Sequence, residues 1–141
     1  MAETTASERP APQAAQSSKG MHWSGWVLSI LSILFLLFDA FGKFARPPQV
    51  TDAFARLGLP TGLSATIGVL LVVCTVIYAI PRTAVLGAVL LTGFLGGAVA
   101  IHVRAGSSPF ETIFPVLFAI LAWLGVYLRN AGLRRMLPVQ R

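Results

Sequence analysis

Charged residues are scarce in this sequence, and their scarcity excludes a water-soluble fold. Of the 141 residues, 11% are charged and 55% are hydrophobic, whereas a soluble domain carries roughly 25% charged residues. A soluble fold of this size would have too few polar side chains to cover its surface. The composition therefore predicts an integral membrane protein whose main partner is the lipid bilayer.

Cysteine and histidine are also scarce, which excludes several kinds of reactive centre. A single cysteine, Cys74, excludes an intramolecular disulfide, a Cys-x-x-Cys pair and a multi-cysteine metal site within one chain. There are only two histidines, and no dinucleotide-binding, phosphate-binding or Ser-His-Asp pattern occurs. We therefore expect no catalytic residue, no metal site and no cofactor, and the chain is predicted not to be an enzyme by itself.

What charge there is has mostly one sign. The formal net charge is +6, which in a soluble chain would suggest nucleic-acid binding. Here, however, the basic residues lie between apolar runs rather than along one face. Attraction to anionic lipid and control of membrane topology explain them better, so no nucleic-acid partner is expected.

Long uncharged runs give the membrane spans directly. Lys19 to Asp39 encloses 19 uncharged residues, Arg56 to Arg82 encloses 25, Arg82 to Arg104 encloses 21, and Glu111 to Arg129 encloses 17. A helix needs roughly 17–25 apolar residues to cross the hydrocarbon layer. The sequence predicts four transmembrane helices, at about 23–41, 61–80, 83–103 and 112–128.

The remaining segments complete the predicted organisation. Residues 1–20 are polar and contain no aromatic residue, so we expect a disordered tail. Between the first and second helices, Val50, Ala53, Phe54 and Leu57 follow the spacing of one helix face, which predicts a short interfacial helix. The predicted fold is an all-α, integral membrane four-helix bundle over residues 21–138, with a C-terminal tail at 139–141.

Basic residues predict the orientation of the bundle. Seven lysines and arginines fall on the side that carries both termini and the turn between the second and third helices, against four on the other side. The positive-inside rule therefore favours cytoplasmic termini. Aromatic residues at the same helix ends predict an interfacial belt: Trp23, Trp26, Tyr78, Trp123 and Tyr127.

Small residues in the third helix form two rows at four-residue spacing. One row is Gly93 and Gly97, and the other is Ala88, Thr92, Gly96 and Ala100. Such rows let membrane helices approach closely. Packing within the bundle is predicted, with a seam between two copies as the alternative.

A polar cluster is predicted at the membrane face opposite the termini, where the helix ends bring together Asp39, Lys43, Arg46, His102, Arg104 and Glu111. Such a cluster can bind an anionic head group, a quinone carbonyl or a partner's loop. Two alternatives stay open: Asp39 and Lys43 form only a helix-end salt bridge, and His102 is structural. His22 falls at the other membrane face, so one haem or metal cannot bridge both histidines.

Several motifs together resemble a known family. They are Asp39-x-x-x-Lys43, Leu57-Gly58-Leu59-Pro60, Ile80-Pro81-Arg82-Thr83, Leu86-Gly87-Ala88, Gly96-Gly97-Ala98-Val99-Ala100-x-His102-x-Arg104, Trp123 and Leu128-Arg129. The sequence resembles the DoxX-like family of small bacterial membrane proteins over residues 23–138. This resemblance implies a four-helix bundle in the bacterial cytoplasmic membrane and, for the namesake branch, a small subunit of a quinone-linked oxidoreductase.

Two function hypotheses follow. The first is an accessory or structural subunit that associates with another membrane protein, with a quinone-linked redox complex as one candidate partner. The alternative is a protein that binds or transports a small molecule, quinone or lipid, through the polar cluster.

Overall fold

The chain folds into six helices in the part that the structure describes. The computed structural model describes the backbone of residues 13–137 and the side chains of residues 19–137. The helices are α1 (Gln13–Ala45), α2 (Pro48–Arg56), α3 (Leu63–Ala79), α4 (Ala84–Arg104), α5 (Pro109–Arg129) and α6 (Ala131–Met136). Helices α1, α4 and α5 are long and apolar enough to cross a membrane, and α3 is a shorter apolar helix. The predicted all-α membrane bundle is confirmed.

Helix α1 is longer than the sequence suggested. It begins at Gln13, so residues 13–20 of the predicted disordered tail are helical. This segment contains alanine, glutamine and lysine, which are good helix formers, and lengthening an existing helix costs far less than nucleating one. Residues 1–12 of the predicted tail, and residues 138–141, lie outside the described residues.

Helix α1 also ends four residues later than predicted, at Ala45, and the boundaries of α3, α4 and α5 fall within three residues of their predicted positions. Helix α5 starts early because Ser108 and Glu111 form a capping box, in which each side chain meets the other's backbone N–H. Helix α6 was not predicted. Asn130 begins it by accepting a hydrogen bond from the Leu133 N–H at 3.2 Å.

The four apolar helices form a ring in which each has two neighbours. Helix α1 packs against α3 and α5, and α4 packs against the same two helices. The turn between α3 and α4 is short, and Thr83 closes it by donating from Oγ1 to the Ile77 carbonyl oxygen at 2.8 Å. The ring therefore has a turn end, which holds this turn and the start of α1, and an α2 end, which holds α2 and the α4–α5 loop.

Glycines provide the closest helix contacts, and they lie at the turn end. A Cβ on Gly87 would overlap the backbone of Tyr78, and a Cβ on Gly25 would lie 2.6 Å from the backbone nitrogen of Arg129. A Cβ on Gly125 would lie 2.6 Å from the Ser29 hydroxyl oxygen. Only glycine fits at these three positions without a shift of the backbone or of its packed neighbours.

The prediction that the small-residue rows of α4 pack inside the bundle is wrong for Gly93, Gly96, Gly97 and Ala100, whereas Ala88 at the start of the second row is buried. Gly93, Gly96, Gly97 and Ala100 are exposed, and a Cβ on any of the three glycines would meet nothing within 4 Å. The buried face of α4 lies on the opposite side and carries Ala84, Gly87, Ala88, Leu91 and Leu95. Lipid is as apolar as a helix interior, so apolar patterning alone did not distinguish the two faces.

Tyr78 belongs to the core rather than to the predicted interfacial belt. It is 0% exposed, and its hydroxyl donates to the Ala122 carbonyl oxygen at 2.8 Å. The same hydroxyl lies 3.1 Å from Ser29 Oγ. Because a buried tyrosine needs a partner for its hydroxyl, this pair of contacts fixes α3 against α1 and α5.

Candidate functional site

A cavity of about 440 Å³ lies at the α2 end of the bundle. Its walls come from α1, α3, α4 and α5, and α2 covers it. The lining residues are Phe35, Leu36, Asp39, Lys43, Gln49, Val50, Ala53, Phe54, Leu57, Leu59, Ile67, Phe94, Leu95, Ala98, Ile101, His102, Phe110, Glu111, Phe114, Pro115 and Phe118. Most are apolar, and the few polar ones converge at one end, which is the usual construction of a ligand site.

Phenylalanines form the apolar wall between α1 and α5. The rings of Phe35 and Phe118 stack, with centroids 4.0 Å apart and planes 16° apart. Phe114 meets both rings, edge to face with Phe35 at 5.5 Å and tilted against Phe118 at 5.1 Å. This wall was not predicted from the sequence. Its signal was the four-residue spacing of Phe110, Phe114 and Phe118, which places them on one helix face.

Helix α2 covers the cavity. The prediction of a short helix with an apolar face is confirmed, and the structure shows what that face covers. Phe54 is buried, and Val50, Ala53 and Leu57 also line the cavity. Positive φ angles flank the helix, 50° at Arg46 and 68° at Gly58. These two sharp bends turn the chain back over the open end of the ring.

Of the six residues in the predicted polar cluster, four line the cavity: Asp39, Lys43, His102 and Glu111. The other two lie outside it. Arg104 donates from Nη2 to the carbonyl oxygen of Leu57 at 3.1 Å, which ties α4 to the end of α2. Arg46 is exposed at the α1–α2 junction.

Asp39 and Lys43 form an ion pair along the last turns of α1. The Lys43 side chain is 15% exposed and that of Asp39 is 43% exposed. The Lys43 stem is fixed on one side by α3, because a Cβ on Gly68 would lie only 3.3 Å from the Lys43 Cβ. Ser64 also donates to the Lys43 carbonyl oxygen at 2.6 Å. The predicted helix-end salt bridge is present, and it also forms part of the cavity wall.

Glu111 has two roles at the start of α5. One carboxylate oxygen accepts from the Ser108 N–H at 3.2 Å, as part of the helix cap. The other lies 3.7 Å from Arg56 Nη1, on α2. Arg56 was not among the residues predicted to form the polar cluster. Its position near the end of the predicted interfacial helix was the available signal, but the facing carboxylate depended on how α2 crosses the bundle.

His102 is half-buried at the end of α4. Its Nδ1 lies 3.1 Å from Ser107 Oγ in the following loop. The imidazole lines both the main cavity and a smaller polar pocket of about 390 Å³ beside it. The second ring nitrogen is therefore the group through which His102 can meet a ligand. Among the described residues, no group of three or more His, Cys, Asp or Glu side chains can hold a metal ion.

Comparison with known proteins identifies the family. Residues 27–125 match the family model described as the DoxX-like family. That range contains the phenylalanine wall of the cavity, the Asp39–Lys43 pair, the whole of α2, and His102. Neither curated proteins nor solved structures give a significant match. By the extent of this match, the chain belongs to the DoxX-like family, and its apolar helices make it a multi-pass membrane protein.

Proposed function

We propose that this protein binds an amphiphilic small molecule, a quinone or a lipid, in the cavity beneath α2. The observation that carries the proposal is the division of one cavity into an apolar phenylalanine wall and a polar end with His102, Asp39 and Lys43. Its volume of about 440 Å³ falls within the roughly 300–1,000 Å³ of small-molecule sites. Of the two function hypotheses, the geometry favours binding.

The arrangement suits a ligand that lies partly in the bilayer. The phenylalanine wall is deeper in the ring, so it provides apolar contact for a ring or a hydrocarbon tail. The polar residues lie at the helix ends, where a membrane molecule carries its polar group. Such a ligand would place each of its parts in an environment of matching polarity without leaving the membrane. We also propose that the chain binds its ligand without catalysing a reaction on it.

The two histidines provide a direct test. The purified protein in lipid nanodiscs is titrated with decylubiquinone and, separately, with a short-chain phospholipid. We expect His102→Ala to weaken binding about tenfold, which is the loss of roughly 1.4 kcal/mol expected for one or two polar contacts. His22→Ala is the matched control. His22 is exposed at the turn end, where its Nε2 accepts from Trp26, and its loss should leave both affinities unchanged.

The binding proposal fails if neither probe binds the unmodified protein in the nanodisc. It also fails if the two histidine variants weaken binding equally, since His22 lies at the opposite end of the bundle. Circular dichroism of both variants separates a lost contact from a lost fold, because the wild-type helix content should remain in each.

A second function, association with another membrane protein as an accessory subunit, is favoured by the exposed face of α4. Gly93, Gly96, Gly97 and Ala100 leave this face flat, and no helix of the described chain covers it. Flat faces of small residues are where membrane helices approach each other. We propose a transmembrane helix of a different protein, such as a redox-complex subunit, as its occupant.

Native purification tests this second function. Gly97→Leu should remove a stoichiometric partner that co-purifies in mild detergent, and Val73→Leu should not, since Val73 is exposed on α3 away from this face. Recovery of the wild-type chain alone, or as a complex only with itself, would argue against an accessory role.

A further inference from the structure

The charged groups at the polar end of the cavity are paired within the protein. Lys43 pairs with Asp39 along α1, and Glu111 lies 3.7 Å from Arg56 across the α2–α5 boundary. Each pair contains one positive and one negative group. Lys43, Asp39 and Glu111 line the main cavity, and Arg56 lines the smaller pocket beside it. The four charges sum to zero, although the chain as a whole carries a net charge of +6. The two pairs therefore contribute nothing to the net positive charge of the chain, all of which is carried by residues outside them.

The Lys43–Asp39 pair is difficult to rearrange around a ligand. With 15% exposure and packing against α3 at Gly68, the Lys43 side chain has little freedom to move. An anionic head group that approached Lys43 would also approach Asp39, and repulsion from this carboxylate would oppose its attraction to the ammonium. Separating the pair would leave a poorly hydrated charge, which is strongly unfavourable.

The Arg56–Glu111 pair has the same effect at the edge of the cavity. Arg56 is 69% exposed and Glu111 is 37% exposed, so this pair is better hydrated and easier to change by mutation. A cationic head group near Glu111 would meet the Arg56 guanidinium beside it. Neither sign of ligand charge therefore has an uncompensated partner at the mouth of the cavity.

We infer that the cavity selects an electroneutral amphiphile, one with an uncharged hydroxyl or carbonyl head and a hydrocarbon tail, and that Asp39 and Arg56 determine this selection. The inference rests on the proposed binding function and specifies its ligand class. The head group meets the polar surface around His102 and Ser107, whose side chains lie 3.1 Å apart, and the tail lies along the phenylalanine wall. Anionic head groups, which the sequence alone left open, are disfavoured.

Three probes with one chain length test the inference. Dodecanol, dodecanesulfonate and dodecyltrimethylammonium have the same tail and differ in head-group charge at every pH between 5 and 9. Each competes with tritiated dodecanol for the protein in nanodiscs, with concentrations expressed per lipid to correct for partitioning. We expect dodecanol to bind at least tenfold more tightly than either charged probe.

Two variants should change the preference in opposite directions. Asp39→Asn leaves Lys43 without its carboxylate, so the affinity of the sulfonate should rise at least tenfold relative to that of dodecanol. Arg56→Gln leaves Glu111 without its cation, so the affinity of the trimethylammonium probe should rise several-fold relative to dodecanol. This rise should be smaller than that of the sulfonate in Asp39→Asn, because the Arg56–Glu111 pair is more exposed. Arg46→Gln is the matched control: it removes a positive charge at the same end of the bundle, but outside the cavity, and should leave the order of the three probes unchanged.

The outcomes separate this inference from the binding function. If none of the three probes binds, the binding function and the inference fall together. If a charged probe binds the wild-type protein as tightly as dodecanol, the binding function stands and the charge selection is wrong. If Asp39→Asn does not fold, Arg56→Gln still decides, because Arg56 is an exposed surface residue, and an unchanged order of the probes in that variant would overturn the inference.

Discussion

Arg129 donates a hydrogen bond from Nη2 to the carbonyl oxygen of Tyr78 at 3.0 Å, and so joins the last turn of α5 to the last turn of α3. The Tyr78 carbonyl is available because the final carbonyl groups of a helix have no partner within that helix. The same guanidinium lies 4.8 Å from the centre of the Trp26 ring on α1. A single side chain therefore connects three of the four apolar helices at the turn end.

Replacing Arg129 should destabilise the bundle. We expect Arg129→Gln to lower the free energy of unfolding by about 2 kcal/mol, from the lost charged hydrogen bond and the lost cation–π contact. Arg129→Lys should recover only part of this, because an ammonium lacks the planar fork of donors. Thermal unfolding in detergent measures both variants. Arg135→Gln, at an exposed position in α6, is the control, and an equal loss in that variant would contradict the role given to Arg129.

The two kinds of glycine in α4 should respond oppositely to a methyl group. Gly87→Ala places a Cβ against the Tyr78 backbone, and such overpacking costs about 1–3 kcal/mol. Gly96→Ala adds its Cβ to open space and replaces the poorer helix former, so stability should be unchanged or increased. Both variants are measured by thermal unfolding in the same detergent. A loss at Gly96 as large as that at Gly87 would show that the exposed face is packed after all.

Helix α2 should uncover the cavity more readily when its hydrogen bond to Arg104 of α4 is removed. Arg104 holds the Leu57 carbonyl at the end of α2, and one such bond contributes about 1 kcal/mol, or roughly fivefold in a rate or an equilibrium. We therefore expect Arg104→Gln to speed dissociation of a bound amphiphile several-fold. Stopped-flow displacement in nanodiscs measures this rate. Arg46→Gln should leave the dissociation rate at its wild-type value, and an equal acceleration there would exclude a specific tie.

The distribution of basic residues predicts the orientation in the membrane. We expect both termini on the cytoplasmic side and the α2 end on the opposite side, because seven lysines and arginines lie with the termini and four lie with α2. Fusions of a fluorescent protein and of alkaline phosphatase to the C-terminus test this, since each is active on only one side of a bacterial membrane. Phosphatase activity without fluorescence would reverse the assignment.

The membrane spans were predictable from a local property. Each span lies between charged residues whose cost in hydrocarbon sets its limits, and no knowledge of helix packing is needed to find them. The short helix after α1 was also local, because Val50, Ala53, Phe54 and Leu57 recur at helical spacing. The extension of α1 to Gln13 was harder to predict, because disordered tails and exposed helix ends have similar polar compositions.

The candidate site was only partly predictable. Topology alone placed Asp39, Lys43, His102 and Glu111 at the same end, and these four line the cavity. It did not show that Arg104 is used to tie down α2. Nor did it show that Arg56 faces Glu111. Both facts depend on where α2 lies across the ring, which the spacing of residues within one helix does not encode.

The sequence by itself determined the membrane environment, the four apolar helices, their alternating direction and the end at which the polar residues collect. These follow from the cost of charge and of unpaired backbone in hydrocarbon, which is the same in any arrangement of helices. Only the tertiary structure decided which face of α4 is buried, that Tyr78 is in the core, and that each charged residue of the cavity lies beside a residue of opposite charge. In lipid, burial and exposure of an apolar face differ little in free energy, so shape and hydrogen bonding decide the packing.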